Sequence, residues 1–127
     1  MKGRLTDEFR GRTKAYAAGV IRLYVKLPKD REEVRTLGKQ LLRSGTSVAA
    51  QVREASRARS AAEFVSKLGG ALQEADESQL WLELLREECG VAPSLTNFLE
   101  TESSELIAIF TTMITRTEDR TVRSAGR

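Results

Sequence analysis

Apolar side chains recur along this chain at intervals of three, four and seven residues, the spacing of helices that bury one face. Phe9, Tyr16, Val20, Leu23, Tyr24 and Leu27 keep that spacing, and Arg10, Arg12, Lys14, Arg22 and Lys26 fall largely between them. They predict a helix over about 7–27. Pro28, Lys29 and Asp30 then break the pattern, and Asp30 with Glu33 three residues on has the form of a cap for a second helix over 31–57. Val34, Leu37, Leu41, Val48, Val52 and Ala55 are its apolar seam. The small-residue stretch from Ser44 to Ala50 predicts close contact with a neighbouring helix, inside the subunit or between subunits.

Ser60-Ala61-Ala62-Glu63 reads as a capping box that opens a third helix over 60–89. Phe64, Leu68, Ala71, Leu72, Ala75, Leu82 and Leu85 run along it, and Gly90 is a left-handed stop. After Pro93, Ser94 is a candidate cap for a fourth helix over 94–116, with Leu95, Phe98, Leu99, Leu106, Ile109, Phe110 and Met113 on its inner face. The tail over 117–127 reads as frayed. Four such helices with short connections bury all four stripes most simply as an all-α, antiparallel up-down four-helix bundle, one domain over 1–127.

Charge adds a second pattern, because it is sorted along the chain. Residues 1–59 carry fifteen Lys and Arg against six Asp and Glu, whereas residues 60–115 carry two against ten. The split points to a basic face for phosphate or an acidic partner, or to two faces that attract each other across a subunit boundary. No segment has the apolar length of a membrane span and no signal-peptide pattern is present, so no membrane partner and a cytoplasmic location are expected. The single cysteine, Cys89, excludes an internal disulfide and reads as a small filler near a helix end.

A resemblance rests on specific residues. Arg43-Ser44-Gly45-Thr46-Ser47-Val48, Val52, Glu54-Ala55 and Ser60 are followed by Glu63-Phe64-Val65-Ser66-Lys67-Leu68, Ala71-Leu72-Gln73-Glu74-Ala75 and Trp81-Leu82-Glu83-Leu84-Leu85. In order and spacing these resemble the four-helix-bundle family of proteins encoded in 23S rRNA intervening sequences, over roughly residues 9–116. Ala49 and Gln51 depart from the Gly or Pro and the Asn usual there. The resemblance implies a bacterial bundle, commonly a ring of five subunits, with no enzymatic activity. It also implies kinship with the accessory variability protein of diversity-generating retroelements, a basic pentamer that associates with nucleic acid and a reverse transcriptase. The chain is therefore expected to be a homopentamer.

The residue types argue against catalysis independently. The chain has no histidine, which removes Glu-x-x-His di-iron ligands, the usual zinc sets and Ser-His or Cys-His nucleophile pairs, so no cofactor and no metal are expected. Glu74 and Glu77 share a helix face while Asp76 points away, which suits a solvated or Arg-paired role. Gly69-Gly70 sits inside a helical pattern and reads as a place of close packing, and Trp81 as a bundle or interface residue.

Arg31, Arg35, Lys39 and Arg43 recur every four residues as one row on helix two, with Arg53, Arg57 and Arg59 further along. These seven are the candidate nucleic-acid-binding residues. No aromatics interleave with them, so contact with RNA or DNA is expected to be through the backbone and weakly selective for sequence. The alternative is a structural or protein–protein interaction scaffold whose basic and acidic halves meet head to tail around a ring.

Overall fold

The computed structural model describes residues 5–126 and contains four helices, α1 (Asp7–Lys26), α2 (Glu32–Ser56), α3 (Ala61–Glu87) and α4 (Pro93–Ala125), with no strand among the described residues. Each helix packs antiparallel on the one before it, and α4 returns to α1, so the fold is an all-α, antiparallel up-down four-helix bundle. Val20, Val34, Leu41, Val48, Phe64, Leu68, Leu82, Leu85, Leu106 and Phe110 form its centre, all essentially without solvent exposure.

Three of the expected helix ends move, each for a local reason. Asp30 does not cap α2: the N-cap residue is Arg31, which makes no side-chain capping bond, and Glu32 and Glu33 occupy the first turn instead. Carboxylates there face the positive end of the helix dipole. Ser94 does not cap α4 either, because the helix already begins at Pro93, whose missing N–H is not needed in a first turn. The tail is helical rather than frayed through Ala125, and Thr117 is buried with its hydroxyl donating to the Met113 carbonyl.

Ser60 does cap α3, accepting from the Glu63 N–H at 3.0 Å, but Glu63 reaches back to the Arg59 N–H rather than to that of Ser60. Gly90 has φ +71°, the left-handed turn that releases the chain from α3. Phe98 departs from its expected place on the inner face of α4, being 75% exposed.

The stretch from Ser44 to Ala50 does lie in helix contacts. A Cβ on Gly45 would fall 2.7 Å from Cγ2 of Val20, so α1 and α2 approach at that point as only glycine allows. Gly70 is similarly close to the Gln51 side chain, whereas Gly69 has nothing within 4 Å and is not a packing glycine.

A hydrogen-bonded layer crosses the centre of the bundle with one residue from each helix. Ser103 donates to the Leu99 carbonyl at 2.7 Å, which commits its only proton, so the Tyr16 phenol donates to Ser103 Oγ at 2.6 Å. By the same reasoning Ser78 donates to the Glu74 carbonyl at 2.8 Å and accepts from Ser44 at 2.7 Å. Burial pushes the Tyr16 phenol above its ordinary value. Polar groups buried this deeply are stable only with partners, so the two pairs fix the register of α1 against α4 and of α2 against α3.

Candidate nucleic-acid interface

The row on α2 keeps its spacing, but its cations are largely engaged. Arg43 sits on the α2–α3 seam and bonds Glu77 at 2.9 Å and Glu74 at 3.3 Å, the Arg-paired role expected for those carboxylates. Arg31 donates to the Cys89 carbonyl at 2.8 Å and to Glu33 at 3.1 Å, tying the start of α2 to the end of α3. Arg35 bonds Glu32 at 3.1 Å, and Arg59 bonds Glu63 at 3.4 Å. Of the seven candidates only Lys39, Arg53 and Arg57 are exposed and without a carboxylate partner among the described residues.

Arg53 and Arg57 lie on a groove of about 1000 Å³ between the first half of α1 and the second half of α2. From α1 it is lined by Arg10, Gly11, Thr13 and Lys14, and from α2 by Ala49, Ala50, Val52, Arg53, Glu54, Ser56 and Arg57. Small residues create it: Gly11 has nothing within 4 Å of where a side chain would begin, and Ala49, Ala50 and Ser56 leave the floor shallow. Lys14, Arg53 and Arg57 make no ion pair among the described residues, while Arg10 bonds Asp7 and the Leu5 carbonyl. The lone acid of the lining, Glu54, is turned to Lys67 of α3 at 2.7 Å and holds that ammonium above its ordinary value. The groove thus presents four cations with one carboxylate already engaged.

Lys14 and Arg10 are the residues that reading α2 alone misses. The signal is the antiparallel register: Gly38 lies against Leu27 and Gly45 against Val20, so counting out equally from the connection brings Lys14 and Arg10 beside the last turns of α2.

On the other seams, arginine and glutamate serve to join helices. Arg12 of α1 forms a fork with Glu102 of α4 at 2.7 and 2.8 Å and also reaches Glu105 at 2.7 Å, which raises its pKa further. Arg86 of α3 makes two 2.9 Å bonds to Glu100 of α4, and that guanidinium holds the Glu100 carboxyl below its ordinary value. Trp81 packs against the core at partial exposure, which suits a bundle residue better than a base-stacking platform. Cys89 is buried.

No group of three or more His, Cys, Asp or Glu among the described residues is placed to hold a metal ion. No helix among them is long and apolar enough to cross a membrane. Fold and site together define a class, a helical bundle with an open basic furrow between α1 and α2. Comparison with known proteins then gives the family. The model of the 23S rRNA-intervening sequence protein matches residues 9–112. The chain is also similar to a crystallised protein of unknown function from the S23 ribosomal protein family of Bacteroides thetaiotaomicron VPI-5482. They share 35% identity over 83% of this chain and 96% of that one, with a TM-score of 0.73. No curated protein matches it. The chain belongs to the 23S rRNA-intervening sequence protein family.

Proposed function

We propose that this protein is a non-catalytic accessory protein that binds the phosphodiester backbone of RNA or DNA in the α1–α2 groove. The observation that carries the reading is the convergence of Arg10, Lys14, Arg53 and Arg57 on one open furrow, with Lys14, Arg53 and Arg57 making no ion pair among the described residues. Unpaired guanidinium and ammonium groups neutralise phosphates and release condensed counterions. No exposed aromatic lines the furrow, so the contact carries little base selectivity. The name of the family points to RNA as the first ligand to try. The protein would act in the cytoplasm.

A homopentamer fits the same reading, since five copies of one groove turn modest affinity into avidity. Titrating the chain with short labelled RNA and DNA in increasing salt tests binding. The logarithm of the binding constant is expected to fall linearly with the logarithm of salt, with similar values for unrelated sequences. Absence of salt-sensitive binding at low ionic strength refutes the reading.

The scaffold alternative is favoured by a different observation. On α1, Ile21 and Val25 are 45% and 71% exposed beside Arg22 and Lys26, and on α3 Leu80 is 45% exposed near Asp76 and Glu83. A basic apolar strip and an acidic one could join head to tail around a ring. Mass measurement separates the two, because this ring would loosen in salt.

A further inference from the structure

The fourth helix runs past the start of α1. It has 33 residues against 20, 25 and 27 for the other three, and the family match stops at residue 112. Phe9 of α1 stacks edge-to-face on Phe110 at 5.9 Å, which fixes where α1 begins alongside α4. At about 1.5 Å per residue, positions 116–123 therefore lie roughly 9–20 Å beyond that stack. Apart from Thr117, every described residue from Thr115 onward is exposed.

On this overhang Arg116, Arg120 and Arg123 follow one another at four and three residues, which places them in a single stripe. The helical period puts the stripe on the face of α4 that carries Glu102 and Glu105, the residues that hold Arg12 of α1. The stripe thus continues the α1 side of the molecule past the start of α1. That end also carries the groove, since Arg10 is in the opening turns of α1 and Arg53 and Arg57 close α2. None of the three arginines makes an ion pair among the described residues. Asp119 borders the stripe by spacing and pairs with none of them, and Glu118 falls on the opposite face.

The overhang has no apolar seam with which to seat a protein partner, because Val122, 71% exposed, is its only exposed large hydrophobic residue. Thr117 is the one buried residue on it, so this polar turn of helix gains little from packing and is marginal alone. Charge is what it offers.

We propose that the α4 overhang is a second nucleic-acid contact, in which Arg116, Arg120 and Arg123 extend the backbone path of the groove and the helix tightens on the bound strand. This rests on the proposed function, and the test keeps the two apart. Wild type, a groove variant (Lys14→Gln, Arg53→Gln, Arg57→Gln) and a stripe variant (Arg116→Gln, Arg120→Gln, Arg123→Gln) are titrated with a short labelled single-stranded RNA and a duplex DNA over a salt series. Molecular mass and helicity of each are measured alongside. Each phosphate contact contributes a slope of about 0.7 on single strands and 0.9 on duplex DNA, so the stripe variant is expected to lose about 2 to 3 of slope at unchanged mass. Amide exchange over 116–125 is expected to slow when RNA is added to wild type.

A stripe variant that keeps the wild-type slope, while the groove variant loses it, overturns this inference and leaves the groove standing. A stripe variant whose mass changes while its slope does not would show that the stripe seats a second copy, which also overturns it. Wild type that binds neither probe overturns both.

Discussion

Gly45→Ala tests how tightly α1 and α2 are joined beside the groove. In an open helical position, exchanging glycine for alanine stabilises by about 0.5–1 kcal/mol, through backbone entropy. Gly69, with nothing within 4 Å of the new methyl, is such a position and sets the reference. At Gly45 the methyl would stand 2.7 and 2.9 Å from the two γ-carbons of Val20, inside any normal contact, and Val20 is fully buried and β-branched. Overpacking of this kind costs about 1–3 kcal/mol. After the propensity gain is subtracted, Gly45→Ala is expected to lose up to about 2 kcal/mol while Gly69→Ala gains up to about 1. Urea denaturation at fixed protein concentration reads both. The stronger check is the cycle with Val20→Ala, which removes the two methyl groups in the way. In that background Gly45→Ala should stop being destabilising, a coupling expected of directly touching side chains. If Gly45→Ala stabilises as much as Gly69→Ala, the close approach described here is wrong.

Tyr16→Phe removes the donor of the central layer but leaves Ser103 bonded to the Leu99 carbonyl, so a loss of about 1 kcal/mol is expected in the same denaturation assay. A loss within error would mean that the layer does not hold register. For Glu100, the native pKa lies below the ordinary 4.5 because of Arg86, so its stabilising effect is present above that value and disappears as pH falls through the lower native one. The stability difference between wild type and Glu100→Gln should therefore be full near neutrality and shrink on acidification. A difference that does not change across that window would contradict the assigned pair.

The seams were legible in the sequence because burial imposes a period, and Ser60 and Gly90 were legible because capping and left-handed turns demand particular residues. What the sequence could not show came from neighbours distant along the chain. Spacing places Arg31, Arg35, Lys39 and Arg43 on one row, but Arg43 is met by Glu74 and Glu77 from another helix, 31 and 34 residues away. The groove was half legible for the same reason. Arg53 and Arg57 were named from α2, whereas Lys14 and Arg10 join them only once the α1–α2 hairpin has a register. The end of α4 was missed because its apolar pattern stops near Met113, whereas the helix goes on to Ala125 with Thr117 as its one buried residue there.

The central claim is that phosphate is held by the groove and not by the row. The direct measurement is the salt dependence of RNA binding for wild type, for the groove variant Lys14→Gln, Arg53→Gln, Arg57→Gln, and for a row variant Arg31→Gln, Arg35→Gln, Arg43→Gln, each confirmed folded by circular dichroism. The groove variant is expected to lose about 2 of the logarithmic slope, one single-strand contact's worth for each cation removed, while the row variant keeps the wild-type slope. A row variant that loses the slope while the groove variant binds like wild type would contradict the account.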